Sequence, residues 1–142
     1  MKKYLIILLI IGIILIFITN CDDNPNDITN TIITPYDNTP VIVNTINAFT
    51  FTLNAFHFSI ERIDSLSFDA DSLVVTLNLA NYSSGGGNVT IFNADTLEIF
   101  NESLDENKVV IITDIIGNIP KYISFQLSNF SGCISFVLAR QE

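Results

Sequence analysis

Residues 73–80 read Leu-Val-Val-Thr-Leu-Asn-Leu-Ala, which is the most regular alternation in the chain. In an extended strand, Leu73, Val75, Leu77 and Leu79 point to one face and the residues between them point to the other. A helix would instead place its apolar residues three and four positions apart. The segment therefore predicts a half-buried β-strand over 73–80.

Upstream of this strand, the apolar positions keep a period of two but change phase once. They are Phe49, Phe51 and Leu53, followed by Phe56, Phe58 and Ile60. A shift from odd to even positions requires one extra residue, so we predict a β-bulge or a break near Asn54–Ala55. His57 would then face solvent, on the opposite side from the phenylalanines that flank it.

Downstream, short strand patterns and turn residues alternate to the end of the chain. Residues 89–92 and 97–100 predict a hairpin, and Gly85–Gly87 predicts a flexible connection in front of it. Residues 108–113 are apolar on both faces, which is typical of a central strand. Two more strands follow at 122–130 and 133–140. Seven or eight strands in about 100 residues, with turn signals every 8 to 12 positions, predict an all-β, two-sheet antiparallel β-sandwich.

The N-terminus is typical of an export signal followed by a tether. Lys2 and Lys3 precede an apolar run from Tyr4 to Ile18. Fifteen helical residues reach about 22 Å, which is short of the roughly 30 Å of hydrocarbon in a bilayer, although an uncleaved signal anchor stays an alternative. We therefore divide the chain into a signal helix at 1–20, a flexible acidic tether at 21–40 and the β-domain at 41–142.

Residues 18–21, Ile-Thr-Asn-Cys, resemble the lipobox of bacterial lipoproteins. The resemblance implies that Cys21 is lipidated and becomes the N-terminus of a membrane-anchored protein of the bacterial cell envelope, since several acyl chains anchor a protein durably. It leaves the membrane leaflet open. The spacing of strands and turns along the chain resembles that of immunoglobulin-like and fibronectin-III-like modules. This is a likeness of architecture, and it implies no functional residue.

Charge and cysteine content narrow the function classes. Four basic residues remain after Cys21 against fifteen acidic ones, so the mature part would carry a net charge of −11. This argues against nucleic-acid binding, which needs clustered Lys and Arg. The second cysteine, Cys133, lies in a strand pattern and is predicted to be a small buried residue.

No catalytic or cofactor-binding pattern stands out. His57 is the one histidine of the chain, which excludes a multi-histidine metal site, and no nucleophile motif accompanies it. Asp64, Asp69 and Asp71 are close in sequence but lack the spacing of a calcium loop. Gly85–Gly87 has no following Lys or helix and does not predict a phosphate site. We therefore expect no enzyme activity, no cofactor and no metal.

The leading hypothesis is a noncatalytic, membrane-anchored module that binds a protein or glycan through a loop end or an exposed strand face. The alternative is a structural spacer lipoprotein without a dedicated ligand. A binding module predicts exposed aromatic residues or a concave face. The candidate contacts are Tyr82, Phe92, Phe100 and Tyr122. The sequence leaves the oligomeric state open.

Overall fold

A computed structural model describes residues 36–141, which form six β-strands. They are β1 (Val41–Thr45), β2 (Ala48–Ser65), β3 (Ser72–Phe92), β4 (Glu98–Ser103), β5 (Lys108–Ile116) and β6 (Tyr122–Arg140). The described residues include no helix, and thus no helical segment of the length and apolarity that a bilayer crossing requires. The prediction of an all-β domain is confirmed. The predicted signal helix at 1–20, Cys21 and residues 21–35 lie outside the described residues.

All six strands belong to one antiparallel sheet in the order β1-β2-β6-β3-β4, with β5 also paired to β3. Strand β3 is long enough to pair with both β4, at 88–92, and β5, at 72–79. The sequence predicted two sheets of seven or eight strands. The structure has fewer strands because residues 85–87, predicted as a connection, and residues 131–132, between two predicted strands, lie inside the continuous strands β3 and β6.

The sheet folds over on itself. Eleven residues of straight strand span about 36 Å at 3.3 Å per residue. Phe125 and Phe136 are eleven residues apart on β6, yet their ring centroids are 5.6 Å apart. Strand β6 must therefore bend back sharply between them, and so must its neighbours β2 and β3.

The bend lies where all three long strands lose regular pairing. Register shifts fall at 55–60 of β2 and at 80–86 of β3, and both face 127–133 of β6. The same segments hold residues with a positive φ, the left-handed conformation that strands normally avoid. These are His57, Asn81, Gly85, Asn129 and Gly132. The β-bulge predicted near Asn54–Ala55 is thereby confirmed as one part of a bend across the whole sheet.

The bend divides the sheet into two halves that enclose the core. Half-sheet A comprises β1, β5, 48–55 of β2, 72–80 of β3 and 133–140 of β6. Half-sheet B comprises β4, 58–65 of β2, 86–92 of β3 and 122–128 of β6. The halves meet through aromatic rings such as Phe51 and Phe125, whose centroids are 4.0 Å apart. The buried cluster lies within residues 49–138, so the domain has its own core and should fold independently.

Burial supports the predicted strand at 73–80 and corrects two other expectations. Leu73, Val75, Leu77 and Leu79 are fully buried or nearly so. Residues 108–113 belong to β5, which is an edge strand rather than a central one, since it pairs with β3 on one side. Phe56 is 51% exposed because the bulge turns it outward.

The end of the predicted tether lies against β2. The ring of Tyr36 stacks on Phe56 with centroids 5.5 Å apart. Asn38 exchanges hydrogen bonds with Phe56, donating from Nδ2 to the carbonyl oxygen (3.2 Å) and accepting from the backbone N–H at Oδ1 (2.7 Å). Residues 36–40 are thus tied to the bend.

Candidate binding face

The outward side of half-sheet B combines polar and aromatic side chains in neighbouring rows. We call it the binding face. The strand register defines three rows across β2, β6, β3 and β4: Ser65–Tyr122–Phe92–Glu98, Ile63–Ser124–Thr90–Asn101 and Glu61–Gln126–Asn88–Ser103. Each row lies about 7 Å from the next, because outward residues recur at every second position of a strand.

A groove of about 540 Å³ runs between the third row and the bend. Its volume is in the range of small-molecule sites. Its lining is Ser59, Ile60, Glu61, Gly86, Gly87, Asn88, Gln126, Leu127 and Ser128. The groove is open at Gly86, since a Cβ added there would have no atom within 4 Å. The groove thus offers hydroxyls, two amides and one carboxylate to a polar ligand.

Hydrogen bonds hold parts of the groove wall. The Asn88 side chain donates from Nδ2 to Thr90 Oγ1 at 3.0 Å, which links the third row to the second. Ser59 Oγ accepts a hydrogen bond from the backbone N–H of Asn129 at 2.8 Å, which ties the groove to the bend. Such contacts pre-organise a binding surface and lower the entropic cost of binding.

Phe92 and Tyr122 form an aromatic pair at the far end of the binding face. They are direct cross-strand partners on β3 and β6. Tyr122 is 41% exposed, and Phe92 is half-buried. Tyr122 and Gln126 are four residues apart on β6, so the aromatic pair lies about 13 Å from the groove. The structure therefore brings two of the four predicted contact residues together.

The other two predicted contact residues, Phe100 and Tyr82, make their contacts within the domain. Phe100 is 6% exposed and packs near Phe136, with centroids 6.2 Å apart, so its side chain belongs to the core rather than the surface. Its position on β4 faces inward because it pairs with the buried Ile91. Tyr82 is half-buried at the bend, where its hydroxyl donates to the carbonyl oxygen of Gly85 at 2.7 Å.

His57 and Cys133 also belong to the bend region. His57 is exposed, as predicted, and its Nδ1 lies 3.1 Å from Asn129 Oδ1. Its backbone N–H donates to Ser131 Oγ at 2.9 Å. Cys133 is buried, as predicted, and its thiol donates to Asn54 Oδ1 at 3.4 Å. Both residues join β2 to β6 across the bend.

The aspartates singled out in the sequence do not converge. Arg62 donates to both carboxylate oxygens of Asp64 at 2.6 and 2.7 Å, and this hydrogen bonding raises the pKa of the guanidinium. Asp69 instead accepts a hydrogen bond from Asn47 at 2.6 Å. Among the described residues, no three His, Cys, Asp or Glu side chains are grouped so that they could hold a metal ion.

A second charged network connects β4 to β5. Lys108 Nζ lies 2.9 Å from Glu102 and 3.5 Å from Asp105. Burial lowers the pKa of Lys108, but the hydrogen bonds and charges of the two carboxylates outweigh it, so the pKa is raised overall. The hydroxyl of Ser103 donates to Asp105 and lowers the pKa of that carboxyl, with help from Lys108. This network braces the turn between the strands.

Sequence reasoning did not identify the groove residues. Glu61, Asn88 and Gln126 come from three strands that are separated by more than 25 positions in the chain. Their outward direction follows from the alternation in each strand. Their common row depends on the register of β2, β3 and β6, for which the individual strands carry no signal.

Comparisons with known proteins provide no identity for this fold. No protein-family model matches the chain, and no curated protein matches it. Among solved structures, the chain is similar to the enzymatically active domain of tailspike protein 4 of bacteriophage CBA120. The sequence identity is 11%, the TM-score is 0.33, and the match covers 71% of this chain and 17% of the tailspike chain. A likeness at this level carries no argument about fold or function.

Proposed function

We propose that this protein is a noncatalytic, membrane-anchored lipoprotein of the bacterial cell envelope whose β-domain binds a glycan through the binding face. The observation that supports this proposal is the polar groove on the same sheet surface as the exposed Tyr122 and its half-buried partner Phe92. The folded-over sheet would present the binding face in the way that the sheets of an immunoglobulin-like or fibronectin-III-like sandwich module present theirs.

The side chains of the binding face suit a sugar better than a hydrophobic peptide. Amides, hydroxyls and a carboxylate match the hydroxyl groups of a sugar as donors and acceptors. An amphipathic aromatic such as Tyr122 packs against an apolar surface while its hydroxyl stays in water. The distance of about 13 Å from Gln126 to Tyr122 suits an extended ligand of several units rather than a single small molecule.

The charge of the protein favours an uncharged glycan. Glu61 lies in the groove, and the chain carries a net charge of −9 before any cleavage. An anionic polysaccharide would be repelled by this field. We therefore expect binding to a neutral oligosaccharide that depends weakly on salt.

The test is retention on an array of neutral and anionic oligosaccharides, followed by calorimetry with the oligosaccharide that binds best. Tyr122→Ala and Gln126→Ala should each raise the Kd about tenfold, which corresponds to about 1.4 kcal/mol. Ile111→Ala is the control, since Ile111 is an exposed apolar residue on half-sheet A.

Two outcomes would contradict the glycan proposal. One is a failure to retain any neutral oligosaccharide. The other is retention that survives both substitutions on the binding face. Capture of an envelope protein that is lost in Tyr122→Ala would keep the binding face and replace the glycan by a protein partner.

The anchor is tested separately. Mass spectrometry of the mature N-terminus should find diacylglycerol on Cys21 and no residues before it. An intact Met1 with an unmodified Cys21 would refute the lipoprotein proposal and leave the binding proposal standing.

A further inference from the structure

The residues that the strand register places on the outward side of half-sheet A are all uncharged. We call this side the uncharged face. The register places seventeen residues on it: Val43–Thr50–Val137–Thr76–Ile111, Val41–Thr52–Ser135–Asn78–Val109, Thr45–Ala48–Ala139–Val74 and Asn54–Cys133–Ala80. Aliphatic residues, alanines, Thr, Ser, Asn and one Cys make up the whole set. By contrast, the binding face on half-sheet B contains Glu61 and Glu98.

The most exposed apolar side chains of this face lie on its two outer strands. Val41 and Val43 on β1, and Val109 and Ile111 on β5, are each more than half exposed. The three strands between them present half-buried Thr, Val, Ser and Ala side chains. Natural sheets usually place charged residues on such outer strands to prevent association. None of the outward residues that the register pairs on β1 and β5, which are Val41, Val43, Thr45, Val109 and Ile111, carries a charge.

The composition of the face fits a partner surface that is itself uncharged. A charged partner would bury its charges against valines and threonines with nothing to pair them, which is costly. A second copy of this chain supplies a complementary surface, because two identical uncharged faces related by a two-fold axis bury no carboxylate of either copy. We propose that the protein forms a two-fold homodimer in which the uncharged faces of two copies pack together.

The area is sufficient for a weak dimer. Each outward position of a sheet covers about 33 Å², given strands about 4.8 Å apart and alternate residues about 6.8 Å apart. The seventeen positions cover about 550 Å² on each copy, or about 1,100 Å² for the pair. Specific interfaces begin near 1,000 Å², so the face is large enough for a specific dimer.

The charge of the protein gives this dimer a distinctive salt dependence. Each copy is acidic, so the two copies repel each other over long range while the contact surface itself is neutral. Added salt screens this repulsion and should tighten the dimer. Docking by ion pairs would show the opposite trend and weaken with salt.

The first test is sedimentation equilibrium of residues 36–142, the part of the chain with its own core. The wild type should show a monomer–dimer equilibrium whose Kd falls as salt rises from 0.05 to 0.5 M. Ile111→Lys should weaken the dimer at least tenfold, because the two-fold axis places two new lysines in the interface. Ile63→Lys is the matched control, since Ile63 is an outward residue of similar exposure on β2 in half-sheet B (65% against 59%).

The second test uses the full chain in membranes and separates face-to-face packing from edge-to-edge pairing of strands. Val137→Cys, on the central strand of the uncharged face, should form a dimer with a short thiol crosslinker. Gln126→Cys, on the same strand but on the binding face, should not. Crosslinking of Val137→Cys beyond the wild-type background is expected only if the two uncharged faces meet.

Three results would overturn the proposal. A domain that stays monomeric at about 1 mM would do so, as would a dimer that Ile63→Lys and Ile111→Lys weaken equally. The third is capture of a different envelope protein that Ile111→Lys abolishes while the domain remains monomeric. Glycan binding is measured on another face, so its loss would leave this proposal unaffected.

Discussion

Replacing Gly85 by alanine should destabilise the domain strongly, because Gly85 lies at the bend on which the whole fold depends. Its φ is +83°, in the left-handed region. A Cβ added there would lie 2.1 Å from the carbonyl oxygen of Asn129 and 2.6 Å from the backbone nitrogen of Phe130. Both atoms belong to the backbone of β6, so they cannot move aside as a flexible side chain would.

The cost has two parts. The left-handed conformation costs a residue with a side chain about 1–2 kcal/mol relative to glycine. Relieving the clash requires β6 to shift by more than 1 Å, which disturbs the pairs Ser84–Ser131 and Gly86–Ser128 on either side. Losing one or two backbone hydrogen bonds adds about 1–2 kcal/mol. The sum is about 3 kcal/mol, which lowers the Tm of a domain of this size by roughly 12–24 °C.

The assay is thermal unfolding followed by circular dichroism, with Gly86→Ala as the matched control. Gly86 is the next residue, but its φ is not in the left-handed region and an added Cβ would have no atom within 4 Å. Its variant should therefore stay within about 1 kcal/mol of the wild type and be slightly more stable, since alanine restricts the unfolded chain. Equal Tm values for the two variants would refute the claim that the bend depends on Gly85.

Three other predictions concern the groove, the core and the charged network of Lys108. Gly86→Ala should retain stability but weaken oligosaccharide binding, because its methyl group enters the groove; calorimetry with unchanged affinity would contradict the groove as the site. Phe125→Ala should lower the free energy of unfolding by about 3–5 kcal/mol in urea, since its ring contacts Phe51 and Phe136, whereas Phe56→Ala at an exposed position should cost less than about 1 kcal/mol. The pKa of Asp105 is lowered in the folded state, so its contribution to stability is present above its unfolded value of about 3.9 and is lost as the pH falls. The pKa of Lys108 is raised, so its contribution to stability is present below about 10.4 and is lost as the pH rises further. Asp105→Asn should accordingly flatten the acid limb of a plot of Tm against pH, and Lys108→Met the alkaline limb, while an unchanged profile in either variant would show that the network adds no stability.

The local features of the fold were predictable because alternation is a property of consecutive residues. The buried leucines of 73–80, the hairpin between 89–92 and 97–100, and the exposed His57 all follow from period and turn residues. The change of phase between Leu53 and Phe56 predicted an extra residue near Ala55, and the bulge is there. The exposure of Phe56 was not predicted, because a bulge with a left-handed residue redirects its neighbour as well.

The errors came from features that depend on neighbouring strands. Gly85–Gly87 is typical of a loop in the sequence, yet in the structure it lies inside β3, since Ser84 and Gly86 pair with Ser131 and Ser128 of β6. Residues 108–113 are apolar on both faces, which is typical of a central strand, yet β5 lies at an edge. The difference is functional, because the outward Val109 and Ile111 become part of the uncharged face. Phe100 is an aromatic residue and was predicted as a contact, but it pairs with Ile91. This register points its side chain toward the core.

The sequence by itself determined the all-β character, the buried side of the strand at 73–80, and the position of one bulge, because these depend on residues next to each other in the chain. The tertiary structure alone decided that three long strands run through a common bend and that one sheet folds over its own core. It also decided which outward residues share a row. Glu61, Asn88 and Gln126 form a groove, and seventeen uncharged residues form a face, only because antiparallel pairing aligns strands that are distant in sequence. Pairing of this kind minimises the free energy of the whole sheet, so no single segment of the chain can specify it.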